Sequence, residues 1–360
     1  MPGKLWNYLK KHTDLNLPRF MKRRFNIIVS NLLEFIKRRR RRFNLIIQLV
    51  ISIILIILLL RLINIPDMFS LLKSVNIYYF ILLLALITVD RIFMAYKWHL
   101  LLKVKDKNIS LFSAIKTYYI GTLAGFFLPT TVGGDMVRVL KLRSEKRSGT
   151  DVLSSVIMER ILGFIASAIL APVAALFLIS FLKLDVWHFL WIAGAFLFLF
   201  IILMVISFSE FIVRKIDKSK KLSGNIFFSK FKKLYLSYAE YKNHKSLLAV
   251  FLILSIFEQI IPVIGNYLAC RALNLSVPFV YFLLIIPLIQ LVSRIPISFE
   301  GIGVNEGLLV YFFALLGLSK TGAFTIGLLG HIAIIIAALP ALYFYIRDIK
   351  TSFYRNRHED

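Results

Sequence analysis

The chain has 360 residues, is 59% hydrophobic, has a mean hydropathy of +0.77 and carries a net charge of +26. Hydropathy this high excludes a water-soluble domain, and a single cysteine, Cys270, excludes an intrachain disulfide or a cysteine-built metal cluster. The basic charge would suit nucleic acid, but most of the Lys and Arg lie in short segments between apolar runs, as the positive-inside rule demands, and no base-stacking aromatic pattern accompanies them; no nucleic-acid partner is expected.

Residues 1–42 read as a basic cytoplasmic extension. Phe25, Ile28, Leu32 and Ile36 recur at helical spacing with Arg24, Asn31 and Glu34 on other faces, the pattern of an amphipathic helix lying in the membrane interface. An unbroken basic run, Lys37 to Arg42, follows and suits anionic headgroups as well as a stop that fixes orientation. The first long apolar run begins at residue 43, too late and too long for a cleaved leader.

Full crossings are expected over 43–63, 77–97, 152–180, 186–208, 246–268 and 321–346, each near the roughly 20 apolar residues that span the hydrocarbon. Lys97 is read as the start of a cytoplasmic loop, 209–245 as another, and 347–360 as a cytoplasmic tail. Two further apolar stretches are broken. Residues 111–143 contain Leu128-Pro129-Thr130-Thr131-Val132-Gly133-Gly134-Asp135-Met136-Val137-Arg138, with basic residues on both flanks; 279–318 contain Pro296, Ser298, Glu300, Gly301, Gly303, Asn305, Glu306 and Gly307. Bilayer hydrocarbon leaves freed N–H and C=O groups without partners, so broken backbone at that depth must line an enclosed or wet cavity. Both stretches are read as re-entrant helical hairpins, one entering from each side. The expected fold is therefore an all-α polytopic membrane protein of about six crossings and two re-entrant hairpins in an inverted repeat, with halves at about 77–208 and 246–346 and a site near the midplane.

Within the first hairpin, Gly133 and Gly134 allow a ligand to approach the backbone, and a helix starting near Asp135 would aim free N–H groups at a phosphate or carboxylate. Thr130 and Thr131 offer hydroxyls and Arg138 a bidentate cation. An equally weighted reading has Asp135 capping its helix and pairing with Arg138 one turn on. Charges inside a membrane are costly and face the interior, so Asp90, Arg91, Glu159, Arg160, Glu258 (beside Gln259), Arg294, Glu300, Glu306 and His331 are candidates for either a site or mutual neutralisation. Arg160 and Glu258 stand out because each sits deep in a long span; His331 reads as a hydrogen bonder between helices. Gly301-x-Gly303-x-x-x-Gly307 lacks the spacing and βαβ context of a dinucleotide loop. With no P-loop lysine motif and no HExxH, neither ATP hydrolysis nor a metal or other cofactor is expected.

The run from Gly121 through Gly125-Phe-Phe-Leu-Pro-Thr-Thr-Val-Gly-Gly-Asp-Met-Val-Arg138 resembles the hallmark of the lysylphosphatidylglycerol synthase transmembrane region, also called the flippase-like domain. Glu159-Arg160-Ile-Leu-Gly163, Glu258-Gln259 and Pro296-x-Ser298-x-x-Gly301-x-Gly303-x-x-Glu306 resemble its later motifs, in order. The resemblance implies a flippase that moves a lipid headgroup between leaflets of the plasma membrane, its cargo an anionic phospholipid or a polyprenyl-phosphate-linked glycolipid. The aminoacyl transferase fused to this region in the lysyl-lipid enzymes has no room in the extension or the 209–245 loop. An intramembrane transferase acting on a lipid-linked substrate, or a scaffold for a cell-envelope synthesis complex, is the alternative; a homo-oligomer or an envelope enzyme partner is also open.

Overall fold

The computed structural model of the protein describes residues 47–127, 133–145, 147–183, 185, 187–209, 226–293, 298 and 301–347. Among these every regular element is helical. The amphipathic and basic segments of the extension, Pro129, Thr130, Thr131, Arg294, Pro296, Glu300 and the tail after Arg347 lie outside the described residues.

Helix α1 (Ile47–Leu62) turns through 91° into α2 (Ile65–Lys73). Pro66 sits in the first turn of α2, and the Asn64 side chain caps it by accepting from the Asp67 N–H at 3.3 Å. Then come α3 (Ile77–Lys105), α4 (Leu111–Phe127), α5 (Gly133–Ser144), α6 (Gly149–Leu182), α7 (Trp187–Ser207) and α8 (Ile226–Ala239). A 3-10 turn, Glu240–Asn243, leads to α9 (Lys245–Glu258), α10 (Ile260–Ala272), α11 (Phe279–Ser293), α12 (Val304–Leu315) and α13 (Lys320–Ala338). Five segments are long and apolar enough to cross a membrane (α3, α6, α7, α9 with α10, and α13 continued to Arg347), or six with the bent α1–α2 pair.

Two segments differ from the sequence reading. Helix α3 does not end at Lys97 but runs on to Lys105, because Lys97 is neutralised inside the bundle rather than released to water. The 209–245 stretch is not all loop. Helix α8 lies on α6, where Ser237 donates to Asp151 at 2.7 Å, and Lys105 of α3 pairs with Glu240 at 2.6 Å.

Helix α6 is the axis of the bundle, touching α3, α5, α7, α8, α9 and α11. Ala166, Ala168, Ala171 and Ala175 are fully buried along it; small side chains let neighbouring backbones come close where no hydrophobic effect drives association. Helix α7, with Trp191 and Phe198 largely exposed, turns its apolar surface outward, as a lipid-facing helix does.

Both broken stretches fold back on themselves. In the first, Arg138 of α5 stacks on Tyr118 of α4, and Ser113 donates to Glu145 at 3.2 Å. In the second, Phe282 of α11 packs on Phe313 of α12 at 5.0 Å, while Ser293 donates to Asn305 near the closed end. The shift in numbering that carries Asp135 onto Glu306 also carries Gly133–Ser144 onto Val304–Leu315 and Gly149, the start of α6, onto Lys320, the start of α13. Three apolar spans separate the two hairpins, and an odd number of crossings brings the second in from the opposite face.

Candidate functional site

The first hairpin closes on glycine. A Cβ at Gly134 would overlap the carbonyl oxygen of Gly121, and one at Gly121 would lie 2.6 Å from Arg138 Cγ and 2.9 Å from the Gly134 oxygen. The sequence reading gave Gly134 to a ligand. The structure gives that space to the other leg of the hairpin, because two helices can cross this closely only where neither bears a side chain.

Closing the hairpin buries an ion cluster. Arg138 Nη2 donates to Asp135 Oδ1 at 2.5 Å and Nη1 to Glu159 Oε2 at 2.8 Å. Arg160 Nε bonds the second oxygen of Asp135, and Tyr118 donates to Glu159 Oε1 at 3.3 Å. The Arg138 guanidinium also lies 4.7 Å from the Trp98 ring centre and 4.5 Å from that of Tyr118. Two carboxylates, two guanidiniums and two aromatic faces thus satisfy one another, which is how charge is kept inside a low-dielectric bundle. Of the two open readings for Asp135, the pairing with Arg138 is the one the geometry realises. The Arg160 side chain is 41% exposed, whereas Arg138 is buried.

The second hairpin builds its own acid–base pair. Gly301 and Gly303 turn the chain at φ of +76° and +85°, and the Gly303 N–H donates to Glu306 Oε2 at 2.8 Å. The other carboxylate oxygen of Glu306 meets His331 Nε2 at 2.8 Å, so His331 does bond between helices as expected. Asp135 and Arg160 are 25 residues apart, and Glu306 and His331 have the same separation. The repeat therefore preserves the chemical pairing: an acid in the first turn after each break, and a base on the following long helix. Ser298 is buried, and among the described residues its Oγ has no hydrogen-bond partner.

A third cluster joins α3 to α9. Lys97 Nζ donates to Glu258 Oε2 at 2.5 Å and to Ser255 at 3.0 Å, all buried, with the Phe251 ring centre 5.1 Å away. The span breaks just after Glu258, at buried Gln259. Pro262 explains the break, since it has no N–H for the Glu258 carbonyl one turn back.

Glu258 of α9 lines a partly open cavity of about 490 Å³ between α3, α10, α11, α12 and α13. Asp90, Arg91, Asn266, Gln290, Ser293, Asn305 and His331 supply its polar wall; Leu83, Ile87, Ile286 and Leu309 are among its apolar lining. The volume falls in the range of small-molecule pockets. Arg91 Nη2 donates to Asp90 Oδ2 at 2.7 Å.

Of the residues singled out from the sequence, Asp90, Arg91, Glu258, Asn305 and His331 line this cavity. Gly133, Gly134, Asp135, Arg138, Glu159 and Arg160 form the neighbouring ion cluster, and Gln259, Ser298, Gly301, Gly303 and Glu306 sit at breaks and turns behind the wall. Among the described residues the first hairpin approaches the cavity through Tyr118, whose hydroxyl donates to the sulfur of the lining residue Met94 at 3.4 Å. The sequence reading leaves Asp90 and Arg91 open between a site and mutual neutralisation, and it misses Asn266 and Gln290. One signal was available for the two missed residues: a polar group deep within an otherwise apolar span.

A charged cavity inside a bundle of apolar spans defines the class: a polytopic membrane protein with an interior polar site. More narrowly, residues 45–341 match the lysylphosphatidylglycerol synthase TM region, and the chain belongs to that family. It is therefore a multi-pass membrane protein of a lipid-related family. A search of curated proteins finds no match.

Proposed function

We propose that the protein is a lipid translocase, passing a phosphate-bearing headgroup across the plasma membrane through the interior of the bundle while the acyl chains stay in the bilayer. The observation that carries this reading is the cavity of about 490 Å³, with Asp90, Arg91, Glu258 and His331 in its wall, inside helices otherwise built to meet lipid. A charge at the centre of a spanning helix costs at least ~2.5–3.5 kcal/mol on insertion scales, so an Asp-Arg step midway along α3 is retained against a penalty that substrate contact would offset. Arg91, rather than the fully countered Arg138, is the cation offered to the phosphate. Termini in the cytoplasm fit the basic segments that flank the first and last spans. With no nucleotide motif, transfer runs downhill or is driven by an ion gradient.

The test is leaflet transfer of fluorescent phospholipid in proteoliposomes, read by quenching from outside. Gly330 lines the cavity and a Cβ built there meets nothing within 4 Å, so Gly330→Leu projects an apolar side chain from an open position. Gly330→Leu and Arg91→Met are each expected to cut transfer about tenfold or more, the worth of a lost charge-assisted contact or of an obstructed path. Undiminished transfer in both variants refutes the reading.

A further inference from the structure

The ionisable residues lining the cavity are Asp90, Arg91, Glu258 and His331. Asp90 is paired with the Arg91 guanidinium at 2.7 Å and Glu258 with the Lys97 ammonium at 2.5 Å, so these charges cancel. His331 differs, because its partner is an acid. Its Nε2 meets Glu306 Oε1 at 2.8 Å, and the other oxygen of Glu306 accepts the Gly303 N–H. Imidazole is the side chain that takes neutral and charged forms near neutral pH. The balance of the site therefore turns on one proton: imidazolium cancels Glu306, whereas neutral imidazole leaves one negative charge in excess. Gly327, Gly330, His331 and Ile334 all line the cavity, the spacing of a single helix face. The His331 side chain is 20% exposed there, and Glu306 lies behind it at 3%.

The surroundings of His331 bring no further charge to this wall among the described residues. Helix α3 presents Asp90 and Arg91, α10 presents Asn266, and α11 presents Gln290 and Ser293. Tyr119 of α4 donates its hydroxyl to the Thr88 carbonyl. Helix α2, which carries Asp67 and Lys73, is tied to α13 at Thr321, and Lys320 and Arg347 stand at the two ends of the α13 span. We propose that His331 takes up a proton together with an anionic headgroup, making the cavity a paired proton and anion site. The inference rests on the translocase reading for the nature of the cargo. Because Nε2–H is donated to Glu306, the arriving proton adds to Nδ1; it comes from the aqueous side the headgroup leaves and returns to water on release. Without it, a phosphate would bring a second negative charge into an interior already holding one, which low-dielectric surroundings penalise. Proton and anion accordingly raise each other's affinity by the same factor. A zwitterionic headgroup adds no net charge and has no such requirement.

The deciding experiment is equilibrium binding of phosphatidylglycerol and phosphatidylcholine, labelled on identical acyl chains, to the full-length protein in detergent between about pH 5 and about pH 8. Phosphatidylglycerol affinity is expected to be greatest at the acid end and to fall by about tenfold or more towards the alkaline end, one linked proton giving at most about tenfold per pH unit. Phosphatidylcholine affinity is expected to stay level. His331→Gln keeps a donor for Glu306 but gains no proton, so it is expected to bind phosphatidylglycerol weakly and evenly across the range. Level phosphatidylglycerol affinity in the wild type, or equal falls for both lipids, overturns the inference without any variant having to fold. An undiminished fall in His331→Gln overturns the assignment to this residue. Transfer is read separately, in proteoliposomes holding a gradient of about one pH unit with protein-free vesicles as the blank; carriage of one proton per headgroup gathers phosphatidylglycerol in the leaflet on the alkaline side, by up to about tenfold. Proton-linked binding without transfer ends the translocase reading and leaves the proton site standing, while transfer with level binding does the reverse.

Discussion

The pair Lys97–Glu258 gives the sharpest energetic test of how charge is held in this bundle. Its 2.5 Å contact joins α3 to α9, with side chains 3% and 9% exposed. Lys97→Met keeps most of the side-chain volume and removes the ammonium bonded to that carboxylate. Removing one partner of a buried pair costs about 3–5 kcal/mol, because the other charge is stranded, whereas replacing both by apolar residues is near neutral or stabilising. For a chain of this size ~1 kcal/mol moves the melting midpoint by about 2 °C. Lys97→Met should therefore lower the midpoint of the purified protein in detergent by about 6–10 °C, measured by intrinsic fluorescence on heating. The double variant Lys97→Met/Glu258→Met should recover most of that loss, although it carries one substitution more. A drop under ~2 °C for the single variant, or a double variant less stable than the single, refutes the claim that the lysine is present to neutralise a buried acid.

Glycine substitutions separate close approach from mere helix composition. Gly121→Ala, whose Cβ would press on Arg138 and the Gly134 backbone, should destabilise by about 1–3 kcal/mol, while Gly125→Ala, which meets nothing within 4 Å, should be neutral or stabilising in the same melting assay. Gly303→Ala combines a positive φ with a Cβ 2.7 Å from that of Leu55, so its loss should exceed that of Gly317→Ala, which has φ +76° and open space; equal losses would show that α1 does not constrain the turn. His331→Leu should cost about 1–3 kcal/mol by leaving one Glu306 oxygen without its imidazole partner, and His331→Gln should restore part of it.

The sequence by itself settled the class of this protein. Helices, number of spans and the two breaks follow from local quantities: run lengths of apolar residues, Pro and Gly within them, and basic residues between them. In a bilayer these leave few alternatives, since backbone polar groups must be satisfied within the helix. The acids after each break, Asp135 and Glu306, were legible for the same reason, as was the kinship of the two hairpins. What those charges do was not legible. Arg138 had the right chemistry for a phosphate, yet a carboxylate on its own helix, a second on α6 and two rings on α3 and α4 surround it, one of them, Trp98, 40 positions away. Lys97 looked like a loop residue because its counter-ion, Glu258, is 161 residues distant. Asp90 and Arg91 were visible as charges, but only packing revealed that they pair with each other and line the same cavity as Glu258 and His331. Near-neighbour pattern fixes which groups are buried; whether a buried charge is already answered depends on which distant helix faces it, and that the tertiary structure alone decides.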